Sequence, residues 1–174
     1  IGLGTDGVSS NDTARIFDVM RVAGLIHSVS GPDHTQWIRA DEILNMATIG
    51  GAHSAMLENV TGSLETGKAA DLLIIDLTTL SFTPLNDIAK HLVYSENGSS
   101  IETVMVAGEI VVDKGTMRTI DEAAILAEIR ELVPAHLAEH AELEQRNSAF
   151  YSTMAEIHSR ATAAEIAMNR YVAV

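Results

Sequence analysis

Three short stretches carry residue types at spacings that chemistry can use. Gly2-Leu3-Gly4-Thr5-Asp6-Gly7 fits G-x-G-x-x-G, whose glycines let a backbone approach a pyrophosphate at a helix N-terminus. That fingerprint needs a strand before it and a helix opening within the glycines. Here the helix-capping side chains come later, at Ser9 to Asp12, and no second strand-helix-strand unit follows, so the nucleotide reading is weak. His136-Leu137-Ala138-Glu139-His140 matches H-x-x-E-H, in which two His four apart share a helix face as zinc ligands and the Glu serves as base. Glu139, Glu142 and Glu144 crowd this pair just after Pro134, and the stretch reads more simply as a solvated helix face. The third stretch is Thr5-Asp6, at the end of the strand-like opening. A carboxylate there can bind a metal and relay protons, yet Asp is also a common turn-capping residue, and spacing alone leaves both readings open. His27, His34, His53, His91 and His158 lack ligand spacing and read as packing or surface histidines; Trp37 and the methionines read as filler.

These residues must be positioned by elements that the pattern of apolar residues predicts. After the glycines, Ser9, Ser10, Asn11 and Asp12 supply capping side chains before a helical stripe of Ile16, Val19, Met20, Ala23 and Ile26. Beyond the breakers Gly31 and Pro32, Asp41 to Leu57 reads as a second helix, in which Gly50 and Gly51 signal close packing or a break. From Gly62 to Gly115 the chain turns to short β-rich runs. Strands are expected at Leu72 to Asp76, Ile101 to Val106 and Glu109 to Val112, with Ala107-Gly108 as a tight hairpin turn and a short helix over Asp87 to Tyr94. Asp121 to Arg146 reads as a helix with Pro134 as a break or kink, and Ser148 to Tyr171 as another.

Composition narrows the function classes. Eleven basic against 24 acidic residues give a formal net charge of −13, and aromatics are 4%, so phosphate backbones are repelled and few rings are present to stack bases. Nucleic-acid binding is not expected, nor is binding to an anionic membrane surface. Apolar runs such as Leu72 to Ile75 fall far short of the roughly 20 residues that cross a bilayer. The absence of cysteine rules out disulfides and thiolate metal sites and is compatible with a cytoplasmic location; any metal must be held by His and carboxylates. A length of 174 residues suits one ordinary domain or pieces of a larger one, and the opening at Ile1 reads as a chain cut within a fold.

Several stretches in register carry a resemblance that no single motif does. IGLGTDGVSSND (Ile1 to Asp12), MATIGGA (Met46 to Ala52), GSLETGKAADL (Gly62 to Leu72), VYS (Val93 to Ser95) and VMVAG (Val104 to Gly108) together resemble the amidohydrolase superfamily. The group is that of cytosine deaminases, adenosine-type deaminases and atrazine chlorohydrolase. The match covers about the first 115 residues in sequence order.

That resemblance implies an α/β fold: the C-terminal part of a (β/α)8 metal-dependent hydrolase barrel, with a small β-sandwich segment and a helical tail. Residues 1–57 would be the last barrel strand, at Ile1 to Gly4, and the helices after it. Residues 58–117 would be the sandwich segment and 118–174 the helical extension. The implied chemistry is attack of a metal-bound hydroxide on a ring carbon of a small nitrogen heterocycle, displacing ammonia, an amine or chloride, with deamination ahead of dechlorination. By resemblance Asp6 is the catalytic carboxylate and a ligand of a divalent metal, zinc with iron as the alternative. Asn11, on the bordering loop, is implied as a substrate contact. The family's other ligands have no counterpart in this chain, so the remaining N-terminal part of the enzyme is the expected partner, in a homo-oligomer. The rival reading is a catalytically silent acidic interaction module whose helical tail packs against a partner.

Overall fold

The computed structural model describes residues 1–29 and 31–163. Contacts divide the chain into two compact units, Ile1–Ile120 and Asp121–Val174.

The first unit opens with a segment outside helix and strand, followed by α1 (Val8–Asn11), α2 (Ile16–His27), a 3₁₀ turn at His34–Gln36, α3 (Ala40–Ala47) and α4 (Ile49–Ser54). Then come β1 (Leu72–Ile75), a 3₁₀ turn at Leu80–Phe82, α5 (Ile88–Tyr94), β2 (Ile101–Val106), β3 (Glu109–Asp113) and β4 (Thr116–Met117). The four strands form one antiparallel sheet in sequence order. The three long strands fall where the apolar runs predict them. Ala107 (φ 50°) and Gly108 (φ 85°) both take left-handed backbone, as the two-residue hairpin between β2 and β3 requires. This turn is tied to the strand before it. Asp71 Oδ1 accepts the Ala107 N–H at 2.7 Å, and the Ala70 carbonyl accepts the Gly108 N–H at 3.1 Å.

The core gathers α2, α3 and α5 around buried Phe17, Met20, Ala40, Ile43 and Val93, with Leu3 and Ile38 packed against it. On α2 the buried stripe is Phe17, Met20 and Gly24, rotated from the expected one so that Ile26 is exposed. Gly24 explains the rotation. A Cβ there would stand 2.7 Å from the Tyr94 ring, so a bare backbone lets α2 lie directly on α5.

Ile1 to Gly4 pairs with no strand among the described residues, and the Leu3 N–H donates to the Met46 carbonyl at 3.0 Å. Three local expectations are corrected. The run Ser9 to Asp12 does not cap α2: Val8 to Asn11 winds into α1, and α2 starts after Arg15, in extended backbone, without a side-chain cap. Asp41 to Leu57 is not one helix. It breaks at Thr48 (φ −120°, ψ −93°) into α3 and α4, which brings Gly50 under the opening segment, where a Cβ would meet the Ile1 carbonyl oxygen at 2.3 Å. The third correction lies in the second unit.

That unit consists of α6 (Glu122–Asn147), a 3₁₀ turn at Ser148–Phe150 and α7 (Tyr151–Ala163). Asp121 caps α6 by accepting the Ala124 N–H at 3.0 Å. Pro134 does not break α6, which runs through it. A proline removes one N–H donor from the ladder, and the neighbouring turns of a long helix hold the rest. The expected helix from Ser148 to Tyr171 begins as a 3₁₀ turn; residues 164–171 lie outside the described residues.

Candidate active site

Residues 1–5, outside any helix or strand, lead to Asp6 in a loop in front of α1. Asp6 sits at φ 56°, a left-handed conformation that Asp tolerates better than most side chains. Two side chains of the next turn hold the loop. The Asn11 amide donates from Nδ2 to the Thr5 carbonyl at 2.8 Å and lies 3.4 Å from the Thr13 carbonyl. The Ser10 hydroxyl lies 3.0 Å from Asp6 Oδ2 and 2.9 Å from the Gly7 carbonyl. Gly7 in turn accepts the Ser10 and Asn11 N–H groups, both at 3.0 Å. The Asp6 carboxylate is thus oriented through one oxygen, and no donor among the described residues reaches its Oδ1.

Asp6 and Asn11 share a cleft of about 410 Å³ with Thr5, Ser10 and Asp18, and Val19 and Val22 supply its apolar wall. A second carboxylate therefore stands on the same cleft, but Asp18 is already engaged. Arg15 Nε lies 2.8 Å from its Oδ2, and the Thr13 hydroxyl donates to the same oxygen at 3.0 Å. Ser10 and Asp18 carry roles here that the sequence signals only as cap and helix-start residues. Their part in the cleft depends on the chain folding back through α1, which no periodicity announces.

The donor set is small. Among the described residues no group of three or more His, Cys, Asp or Glu could hold a metal ion. A catalytic zinc takes about three protein ligands, so the Asp6 carboxylate, a fitting donor by type, does not make a metal centre by itself. His136 and His140 lie on exposed α6 with no third ligand, and the H-x-x-E-H spacing is not a metal site there. The G-x-G-x-x-G glycines likewise form no phosphate loop with a strand before it. Gly2 serves a close crossing, where a Cβ would stand 2.9 Å from Gly51 Cα.

Comparison with known proteins assigns the chain a place. The model of the amidohydrolase family matches residues 1–111. The 5-methylthioadenosine/S-adenosylhomocysteine deaminase of Desulfovibrio desulfuricans is 40% identical over 132 residues, covering 76% of this chain and 30% of that protein. The 5′-deoxyadenosine deaminase of Methanosarcina mazei is 37% identical over 131 residues, 75% of this chain and 30% of that one. Among solved structures, an adenosine deaminase from Xanthomonas campestris with bound zinc superposes with a TM-score of 0.72 at 30% identity, over 77% of this chain and 30% of that one. The atrazine chlorohydrolase of Arthrobacter aurescens complexed with zinc gives 0.70 at 30% identity, over 76% and 29%. The chain thus spans about 30% of the length of these relatives. With the family model matching well over half of it, and Asp6 and Asn11 inside the matched region, the chain belongs to the amidohydrolase family.

Proposed function

We propose that this chain is the C-terminal part of a metal-dependent amidohydrolase that hydrolytically deaminates a nitrogen heterocycle, with dechlorination as the second choice of reaction. An adenine nucleoside altered at its 5′ position is the leading substrate class. The observation that carries this reading is the 37–40% identity to deaminases of such nucleosides over three quarters of the chain.

In the complete enzyme Asp6, with further ligands from the remaining N-terminal part, would hold a divalent metal, zinc with iron as the alternative, which would supply activation of water when bound. Asp6 would accept a proton at its carboxylate and deliver it to the leaving nitrogen, a transfer that needs a carboxylate held in place yet open on one oxygen. The Ser10 contact and the Asn11 latch supply the first condition, and the open Oδ1 the second. Asn11 faces the substrate with its amide carbonyl while Nδ2 stays on Thr5. Residues 1–57 complete a (β/α)8 barrel, with segment 1–4 pairing as its last strand once neighbouring strands are supplied. Residues 58–117 belong to the small sandwich and 118–174 to the helical extension. The other metal ligands come from the remaining N-terminal part, in a cytoplasmic homo-oligomer.

The test is a comparison of the isolated 174-residue chain with the full-length enzyme in the presence of zinc. The full-length enzyme releases ammonia from a 5′-modified adenosine. The isolated chain binds no stoichiometric zinc and releases none. Turnover by the isolated chain, or a full-length enzyme that attacks no nitrogen heterocycle, overturns the reading.

A further inference from the structure

The helices from Asp121 onward lie beyond the residues matched by the family model and contribute nothing to the cleft. They nevertheless carry a long-range order. From Glu122 to Ala163 the backbone stays right-handed helical: Asn147 (φ −82°, ψ −15°) and Ser148 (φ −56°, ψ −29°) carry the chain through the 3₁₀ turn into α7. The result is a helical rod about 60 Å long.

Along it, residues recur with a seven-residue period. One position of the heptad holds Leu126, Val133, His140, Asn147 and Met154; the position three residues later holds Ile129, His136, Leu143, Phe150 and Ile157. This is the a/d pattern that turns one helix face toward another helix. Pro134 directly follows an a position and lies off the seam. All these side chains are exposed; Ile129 is 48%, Phe150 61% and Ile157 61% accessible. Together with the flanking Ile125, Leu132 and Leu137 the stripe leaves ten large apolar side chains 39–62% exposed, and a contiguous apolar surface of this kind marks an interaction site.

We infer that this stripe is the contact between two copies of the chain, paired antiparallel as a two-stranded coiled coil. Charge selects the partner and the direction. In a parallel, in-register pair Glu139 of one copy faces Glu144 of the other, a like-charge contact repeated on both sides. In an antiparallel pair with full overlap, Glu139 instead faces Arg146 of the second copy, twice. The same register sets Asn147 opposite His136 and His140 opposite Leu143, while Leu126 meets Ile157 and Val133 meets Phe150. A polar residue at a seam position is a recognised device for fixing register.

The experiment exploits the absence of cysteine from the chain. The mass of the unmodified 174-residue chain in solution, at tens of micromolar, is that of a dimer. In the double variant Glu139→Cys/Arg146→Cys the two thiols of one helix are two turns apart, about 10 Å, beyond the reach of a disulfide within the chain. Oxidation therefore converts most of the protein to a covalent dimer. In Glu139→Cys/Glu144→Cys it leaves a monomer on a denaturing gel. All three substituted positions, Glu139, Glu144 and Arg146, are exposed on α6. A monomeric unmodified chain, in which the stripe is free or covered by another segment, overturns the inference. So does covalent capture by the second variant instead of the first, or a dimer that the first variant fails to capture.

Discussion

Asn11 hydrogen-bonds across its own loop to the carbonyl of Thr5, at 2.8 Å, and so closes the backbone around Asp6. In the proposed reading the carboxylate that handles the proton and the amide that borders it are thereby one mechanical unit. Replacing Asn11 with Leu, which keeps the bulk and removes the donor, frees a residue held at left-handed φ to relax toward ordinary backbone. In the full-length enzyme kcat/KM is expected to fall about 10- to 100-fold, mostly in kcat, because a displaced proton acceptor costs orientation. Steady-state kinetics on the Leu and Ser variants test this. An Asn11→Leu enzyme whose loss lies entirely in KM would assign Asn11 to substrate binding alone.

Gly24 and Tyr94 set the spacing of α2 on α5. Gly24→Ala gains about 1 kcal/mol of helix propensity, but its methyl collides with the tyrosine ring, and overpacking costs about 1–3 kcal/mol. A net destabilisation of about 1–2 kcal/mol in urea unfolding is expected, and Tyr94→Ala in the same chain is expected to remove the clash. Purely additive single and double variants would contradict this packing account.

Glu96 is almost fully buried, 3% exposed, beside Ser100. Burial pushes its carboxyl up, but the Ser100 hydroxyl and N–H and the Gly98 N–H outweigh it, holding the carboxyl below its ordinary value of 4.5. The Gly98 and Ser100 N–H groups donate to Oε1 at 2.6 and 3.1 Å. A carboxyl depressed on folding contributes stability in full above its unfolded value, and loses it as pH falls through the folded one. Glu96→Gln is therefore expected to be less stable than the native chain at neutral pH and to show a shallower loss of stability on acidification below about pH 4.5. Parallel pH profiles of urea midpoints for the two proteins would sink this assignment.

Pro134 withholds one hydrogen bond from α6. If the rest of the helix already runs through it, Pro134→Ala adds the missing donor without changing the path, and α6 is expected to gain about 2–3 kcal/mol of local stability. Slower amide exchange over Arg130 to Ala138 reports this gain; unchanged exchange there would mean that α6 does not continue through Pro134.

Much of this was legible before the fold was known, for identifiable reasons. The β2–β3 hairpin announces itself because Ala107-Gly108 lies between two β-branched runs, and α5 because Asp87 caps it by accepting the Lys90 N–H at 3.1 Å. Asp6 and Asn11 are named by the family resemblance, and both line one cleft. Periodicity fails where a distant contact decides. Phe17 replaces Ile26 in the core because Gly24 admits Tyr94, which lies 70 residues further along the chain. The split of α3 from α4 at Thr48 brings Gly50 under the Ile1 carbonyl, a distant contact that no local pattern announces. The part played by Ser10 is invisible because a capping signal was followed by a one-turn helix, α1, rather than by α2.

The central claim is that Asp6 is the proton-handling carboxylate of a deaminating amidohydrolase. It is tested most directly by ammonia release from 5′-deoxyadenosine by the zinc-loaded full-length enzyme, with Asp6 intact and as Asp6→Asn, the metal content of both being measured. Loss of a general acid–base group predicts a fall of about 10²–10⁴-fold for the Asn variant, even where its zinc is retained. An Asp6→Asn enzyme that holds zinc and keeps activity within a few-fold of the native enzyme would contradict the account.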